Sequence, residues 1–115
     1  IVDIVWMPVS EADSREAIAA AASVIPDARV RHYWDPKLLL NAQLRDAIAF
    51  DVSVRLYDLV LLYDRDALWN DRVPRPGYWM HEYRGAPGPR WNASALATQV
   101  AKALAGQPLD TPRPE

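Results

Sequence analysis

The sequence predicts an α/β fold in which a mixed central sheet is flanked by helices, and three observations support this prediction. Residues 57–63 read Tyr-Asp-Leu-Val-Leu-Leu-Tyr, an aliphatic run typical of a strand that is covered on both faces. Residues 78–83 form a second, aromatic run after a connection that contains proline and glycine, so the two runs predict a β-hairpin. Stretches with apolar residues at helical spacing lie before and after this hairpin, and they predict the flanking helices.

Length and composition restrict the domain organisation and the classes of function. The 115 residues suffice for one domain, which we place at 1–106, followed by a flexible, proline-rich tail at 107–115. The 13 basic and 15 acidic residues are interspersed and give a net charge of -2, so nucleic acid is not an expected partner. No apolar run approaches the roughly 20 residues of a membrane helix. The chain has no cysteine, which excludes thiol chemistry by its own residues.

The first half of the chain predicts two strands that alternate with two helices. Residues 2–9 are mostly apolar and β-branched, as in a buried strand that ends near proline. Asp13 and Glu16 have the spacing of a capping box, which predicts a helix to about residue 24. Residues 29–34 alternate in polarity like a half-exposed strand. Asp35 then suits the N-cap of a second helix, with proline in its first turn, that runs to about residue 49.

The second half predicts the hairpin and a last helix. Residues 59–63 form the expected central strand, and an extended link at 52–56 precedes it. Asn92 or Ser94 can cap a final helix that ends before Gly106. The predicted order is therefore β-α-β-α-β-β-α, a parallel βαβ half followed by a ββα half, which is the thioredoxin-type arrangement.

Four segments of the sequence carry a resemblance to a known group of proteins: 5–8 (Val-Trp-Met-Pro), 27–35, 57–63 and 78–81 (Tyr-Trp-Met-His). Together they resemble a group of poorly characterised bacterial thioredoxin-like proteins, related to the thiol-disulfide oxidoreductase and peroxiredoxin-like superfamily. The resemblance spans most of the chain. It implies a thioredoxin fold and a periplasmic or exported location.

The redox motif of that group has no counterpart in this chain. The group carries a Cys-x-x-Cys on a strand–helix unit and a cis-proline before a central strand; the proline position corresponds to Tyr57. If residues 2–9 are the strand that leads into the motif, the two cysteine positions correspond to Ser10 and Asp13. If they are the next strand along, as the resemblance favours, the cysteine-bearing unit lies ahead of Ile1. The chain then either closes its sheet with residues 2–9 as the central strand or borrows a strand from a partner by β-augmentation. The apolar character of residues 2–9 favours closure by the chain itself.

These features favour a thioredoxin-fold protein without redox cysteines, a non-catalytic binding or accessory subunit that contacts another protein. We expect the contact surface at Trp69, Pro74, Pro76 and Trp91, because tryptophans in proline-containing loops often meet a protein partner. No cofactor is expected. The alternative is that the chain is the C-terminal portion of a thioredoxin-like thiol-disulfide oxidoreductase whose Cys-x-x-Cys unit precedes Ile1.

His32, Asp35 and His81 are the candidates for a polar site. His32 and Asp35 lie three residues apart around a helix start, where an acid–base pair can form, but Asp35 equally suits a helix cap. Met7 and Met80 with the two histidines offer thioether and imidazole ligands for copper, which is a third interpretation. Against it, strand alternation places Met80 and His81 on opposite faces of one strand.

Overall fold

A computed structural model describes residues 1–50 and 56–113, and it shows a mixed α/β fold with the predicted order of elements. The predicted link at 52–56 lies outside the described residues except for Leu56. The chain divides into two compact units, unit 1 (Ile1–Leu40) and unit 2 (Asn41–Glu115). The elements are β1 (Val2–Trp6), α1 (Arg15–Ala22), β2 (Val30–Trp34), α2 (Leu39–Ile48), β3 (Leu59–Leu62), β4 (Tyr78–His81) and α3 (Ala93–Leu104).

Unit 1 contains a parallel βαβ arrangement, as the sequence predicts. β1 and β2 pair in a register that runs from Val2 opposite Val30 to Trp6 opposite Trp34. On one face of this pair Arg31 donates to both carboxylate oxygens of Asp3, at 2.6 and 2.9 Å. No residue of unit 1 is fully buried, so its two strands and its helix do not enclose a core of their own.

The loop after β1 corrects two predicted boundaries. The strand ends at Trp6 and not at residue 9, because the amides of Val9 and Ser10 turn to donate to the Asp13 carboxylate at 2.8 and 2.7 Å. The Asp13 carboxylate therefore accepts hydrogen bonds within this turn, and Asp13 does not cap α1. Ser14 takes that place, with its hydroxyl accepting from the Ala17 amide at 3.2 Å.

Asp35 contacts the start of α2, but the helix begins later than predicted. Its two carboxylate oxygens accept from the amides of Leu39 and Leu40 at 3.0 and 2.9 Å. Leu38 has a φ of 56°, a left-handed conformation that a helix cannot run through. The segment 36–38 is consequently a turn. At the other end Ala49, with a φ of 52°, follows the last helical residue.

The predicted hairpin of unit 2 is confirmed. β3 and β4 are antiparallel, with Leu59 opposite His81 and Leu62 opposite Tyr78. Within the described ranges the strands form this two-stranded sheet and the two-stranded sheet of β1 and β2.

β4, and not β3, is the most deeply covered strand of this unit. All four β4 residues are buried, whereas all four β3 residues are half-buried. The His81 amide donates to the Pro89 carbonyl at 3.1 Å, and the Trp91 amide donates to the His81 carbonyl at 2.9 Å. β4 thus has a neighbour on each edge in the described part of unit 2, a place that the sequence analysis gave to residues 59–63.

The core of unit 2 is formed by β4, one face of α2 and residues next to them. The Asn41 amide group donates to the Leu56 carbonyl at 2.9 Å, so this buried polar side chain satisfies a loop carbonyl. Asn92 caps α3 as expected, with its Oδ1 accepting from the Ala95 amide at 2.8 Å. The buried apolar side chains are Leu44, Ile48, Phe50, Leu56, Tyr78, Trp79 and Met80.

Candidate functional site

Ser10, Asp13 and Tyr57, the positions that the resemblance matches to a redox motif, have structural contacts. Ser10 and Asp13 are exposed and close one turn, since the Asp13 amide also donates to the Ser10 carbonyl at 3.2 Å. The amides of Ser10 and Val9, in that order, hold the pKa of the Asp13 carboxyl below its usual value. In unit 2 the exposed Tyr57 donates its amide to the Tyr83 hydroxyl, and no peptide bond between described residues is cis.

His32 and Asp35 do not form an acid–base pair. The Asp35 carboxylate accepts from the helix amides described above. His32 accepts from Trp6 Nε1 through its Nδ1 at 3.1 Å, and the two rings stack with their centroids 6.1 Å apart. The His32 Nε2 atom is buried and has no hydrogen-bond partner within the described residues.

His81 is a core residue of unit 2. The Tyr83 amide donates to His81 Nδ1 at 2.9 Å, and His81 Nε2 lies 3.0 Å from the Pro87 carbonyl. An amide can only donate and a carbonyl can only accept, so the ring is the neutral tautomer with its proton on Nε2. The ring also packs against Phe50 and Trp79, with centroid distances of 5.2 and 5.7 Å.

These contacts do not fit the copper interpretation. Both ring nitrogens of His81 are engaged, so neither has a lone pair free for a metal. Met80 has no exposed surface, and it precedes His81 on a strand whose side chains alternate between faces. Among the described residues no group of three or more His, Asp or Glu side chains could hold a metal ion.

Leu68 and Trp69 are two adjacent, exposed apolar residues of unit 2, with exposed fractions of 76% and 53%. The Trp69 ring contacts the Tyr63 ring edge-on, with centroids 5.1 Å apart. The Val73 amide donates to the Gln43 side chain of α2 at 3.1 Å, which attaches this loop to the helix. We call Leu68 and Trp69 with the supporting Tyr63 ring the Trp69 surface.

The structure corrects the predicted contact surface at Pro76 and places Trp69 and Trp91 along the hairpin. Pro76 is fully buried and belongs to the core, while Pro74 is half-buried. Trp91 is 47% exposed, but its amide bonds to His81, the residue opposite Leu59. Tyr63, which contacts Trp69, follows Leu62. Leu62 lies three residues farther along β3 than Leu59, or about 10 Å at the usual rise of a strand. Trp69 and Trp91 therefore lie near opposite ends of the hairpin.

The Tyr63 side chain is a feature that the sequence analysis did not single out. Its hydroxyl is buried, has no hydrogen-bond partner within the described residues, and lies on the ring that supports Trp69. Burial raises the pKa of this hydroxyl to about 12. A tyrosine at the end of an aliphatic strand and directly before a turn is the signal that could have indicated it.

A small cavity lies near the end of α2. Its volume is about 220 Å³, counted together with the solvent space at its mouth. The space that it offers to a solvent molecule is about 10 Å³, which is room for about one water. We therefore assign no ligand to it. The lining residues are Ile48, Ala49, Phe50, Trp79, Pro87, Gly88 and Arg113.

Neither a family model nor a curated protein nor a solved structure matches this chain. Among the helices in the described ranges, none combines the length and the apolar character that crossing a bilayer requires.

Proposed function

We propose that this protein is a non-catalytic binding or accessory subunit with a thioredoxin-like fold, and that it contacts another protein through the Trp69 surface. The observation that carries the proposal is the half-exposed Trp69 ring held edge-on against Tyr63. Tryptophan is enriched among the residues that dominate binding free energy. An aromatic side chain that is already fixed loses little conformational entropy when a partner covers it.

The surroundings of Trp69 support this role. Leu68 precedes it and is 76% exposed, so two large apolar side chains lie next to each other on one loop. The loop is attached to α2 by the hydrogen bond between the Val73 amide and the Gln43 side chain. Exposed apolar surface that a monomer does not cover is typical of a site for protein contact.

The thioredoxin-like part of the proposal rests on the order of the elements. A parallel βαβ unit precedes an antiparallel hairpin and a final helix, which is the order of that fold. The proposal includes one mixed sheet made from all four strands within residues 1–106. Amide-to-amide nuclear Overhauser effects that connect the β1–β2 sheet to the β3–β4 sheet would support it, and two sheets without such connections would contradict it.

Site-specific photo-crosslinking tests the Trp69 surface. A photoreactive amino acid at Leu68 should give an adduct with a partner in an extract of the source cells. Leu104 on α3 is the matched control, because it is also a leucine and is 77% exposed. The same photoreactive amino acid at residue 104 should give no adduct of that mass.

The variant Trp69→Ala separates binding from stability. With the photoreactive group at position 68, this variant should lose most of the adduct, because the ring supplies the main apolar contact. Its Tm should change little, because about half of the ring is already in solvent. Equal adducts from positions 68 and 104 would contradict the proposal, as would a fall in Tm as large as that of a core truncation.

A further inference from the structure

Three residues near the end of the chain, Leu109, Asp110 and Thr111, contact Gly77 and α3 within unit 2. We call them the C-terminal clasp. Leu109 lies over Gly77, just before β4: a Cβ atom on Gly77 would come within 2.5 Å of a Leu109 methyl group. The absence of a side chain at Gly77 therefore makes the space that Leu109 fills.

Asp110 is the most extensively bonded residue of the clasp. Its carboxylate accepts from Gln99 Nε2 at 2.7 Å and from Lys102 Nζ at 2.6 and 2.7 Å, and its amide donates to Gln99 Oε1 at 3.0 Å. Thr111 completes the contact by donating its hydroxyl to the Gly77 carbonyl at 2.7 Å.

Gln99 is the residue of α3 that makes two hydrogen bonds to the clasp. It is only 5% exposed, yet both ends of its amide group bond to Asp110. Both polar ends of this amide group are satisfied by residue 110 in the folded chain. An apolar residue at this position of α3 would make neither bond, so glutamine at 99 matches the aspartate at 110.

The clasp itself has the exposure of a ligand and not of a core. Asp110 and Thr111 are exposed and Leu109 is half-buried, whereas the receiving Gln99 is buried. Each clasp residue contacts a different part of the receiving surface. Leu109 packs above Gly77, the Asp110 carboxylate accepts from Gln99 and Lys102, and the Thr111 hydroxyl donates to the Gly77 carbonyl.

We infer that the surface formed by Gly77, Gln99 and Lys102 is a docking site for an extended segment of the pattern Leu-Asp-Thr. Residues 109–111 occupy it within the chain, and a segment of the same pattern in a partner protein replaces them. The inference rests on the proposed binding role and specifies a class of partner. The Gly77 amide donates to the Leu62 carbonyl at 2.9 Å, and Tyr63 follows Leu62. The docking site thus lies at the same end of the hairpin as the Trp69 surface.

Competition by the attached clasp provides the test. A covalently attached segment has an effective concentration of about 1 mM or more, so a free peptide binds the native chain poorly. The full-length variant Asp110→Ala loses the carboxylate bonds to Gln99 and Lys102 and so weakens the hold on its own clasp, although the residue 110 amide, Leu109 and Thr111 keep their contacts. The probe is a fluorescein-labelled peptide with the sequence of residues 107–113 (Gln-Pro-Leu-Asp-Thr-Pro-Arg), and binding is measured by fluorescence anisotropy.

The D110A chain should bind this peptide at least about tenfold more tightly than the native chain does. A peptide that carries D110N should bind the D110A chain about tenfold more weakly, because the charged bonds to Lys102 are lost. Adding Lys102→Met to the D110A chain, a change at a half-buried position, should weaken binding similarly while circular dichroism stays unchanged.

Three outcomes would overturn the inference. Equal binding by the native and D110A chains, or binding by neither, would show that the clasp only closes the fold. A dimer of the native chain that the peptide dissociates would make a second copy the occupant. Failure of the crosslink at Leu68 concerns the Trp69 surface alone, so the two proposals can be rejected separately.

Discussion

Two tyrosine hydroxyls of unit 2 are in opposite situations although both are partly buried. The Tyr63 hydroxyl has no hydrogen-bond partner within the described residues, whereas the Tyr83 hydroxyl accepts from the Tyr57 amide. Removal of an unsatisfied buried hydroxyl eliminates its desolvation cost, and removal of a satisfied one loses the hydrogen bond that it makes. The two Phe substitutions should therefore change stability in opposite directions.

We expect Tyr63→Phe to raise the free energy of unfolding by about 1 kcal/mol and Tyr83→Phe to lower it by about 1 kcal/mol. Urea denaturation of the two variants and the native chain measures both changes. Each variant is the control for the other, because the same hydroxyl is deleted. A loss of stability in Tyr63→Phe equal to that in Tyr83→Phe would show that Tyr63 has a partner in solution.

Gly88 and Gly85 both have positive φ angles, 97° and 73°, but differ in their surroundings. A Cβ atom on Gly88 would lie 2.8 Å from Trp79 Cζ3 and still closer to Cη2, whereas one on Gly85 would have no heavy atom within 4 Å. Alanine at either site adds backbone strain of about 1–2 kcal/mol. At Gly88 it also forces the buried Trp79 ring to move, which costs a further 1–3 kcal/mol or so.

Gly88→Ala should therefore unfold at a clearly lower urea concentration than Gly85→Ala. The Trp79 environment provides an independent readout, since near-ultraviolet circular dichroism should change in the first variant and not in the second. Equal losses of stability would mean that backbone strain alone decides the effect and that the loop can move away from Trp79.

For the helices and strands, features that depend on neighbouring residues were predicted correctly more often than features that depend on contacts in the folded chain. The order of strands and helices, the hairpin and the Asn92 cap follow from periodicity and side-chain chemistry that neighbouring residues share. The cap of α1 did not follow, because Asp13 and Ser14 are both good N-caps. The amides of Val9 and Ser10 decide between them, and their approach to Asp13 is a property of the folded loop.

The candidate site was harder to predict because it, too, depends on contacts that form only in the folded chain. Sequence indicated that Trp69 lies in an exposed loop, but not that Trp91 lies near the other end of the hairpin. That separation depends on the register of β3 and β4 and on the bond between Trp91 and His81. The burial of Pro76 likewise depends on contacts that its neighbours in sequence do not reveal.

The contact between α3 and the C-terminal clasp should depend on pH. Lys102 first, and then Gln99, hold the pKa of the Asp110 carboxyl below its ordinary value. A carboxyl whose pKa is lower in the folded state stabilises that state above its unfolded pKa of about 3.9. This contribution disappears as the pH falls through the lower, folded-state pKa.

The Asp110 amide proton reports this transition because it is bonded to Gln99 Oε1. Its chemical shift should be constant from neutral pH to about pH 5 and should change below about pH 4 as the clasp opens. In Asp110→Asn the same proton should show no transition in this range. A constant shift in the native chain down to acid unfolding would show that the carboxylate does not hold the clasp.

Across the whole molecule, burial is distributed unevenly between the two units. Every fully buried side chain of the described residues belongs to unit 2, and no residue of unit 1 is fully buried. Hydrophobic burial is the main stabilising contribution to a folded domain. A chain of about 40 residues without disulfide or metal rarely forms a stable fold by itself. Unit 1 should therefore open locally at a lower free energy than unit 2.

Native-state hydrogen exchange of the full chain tests this difference. The Asp35 amide of unit 1 donates to Trp6 at 2.8 Å, and the His81 amide of unit 2 donates to Pro89 at 3.1 Å. If bond length decided protection, Asp35 would exchange more slowly. We expect the reverse, because opening of unit 1 exposes little apolar surface whereas opening at His81 requires the core of unit 2 to unfold. Exchange at His81 should also accelerate steeply with added urea, and exchange at Asp35 only slightly. The same rate and the same urea dependence at both amides would instead show that the chain unfolds as one cooperative structure.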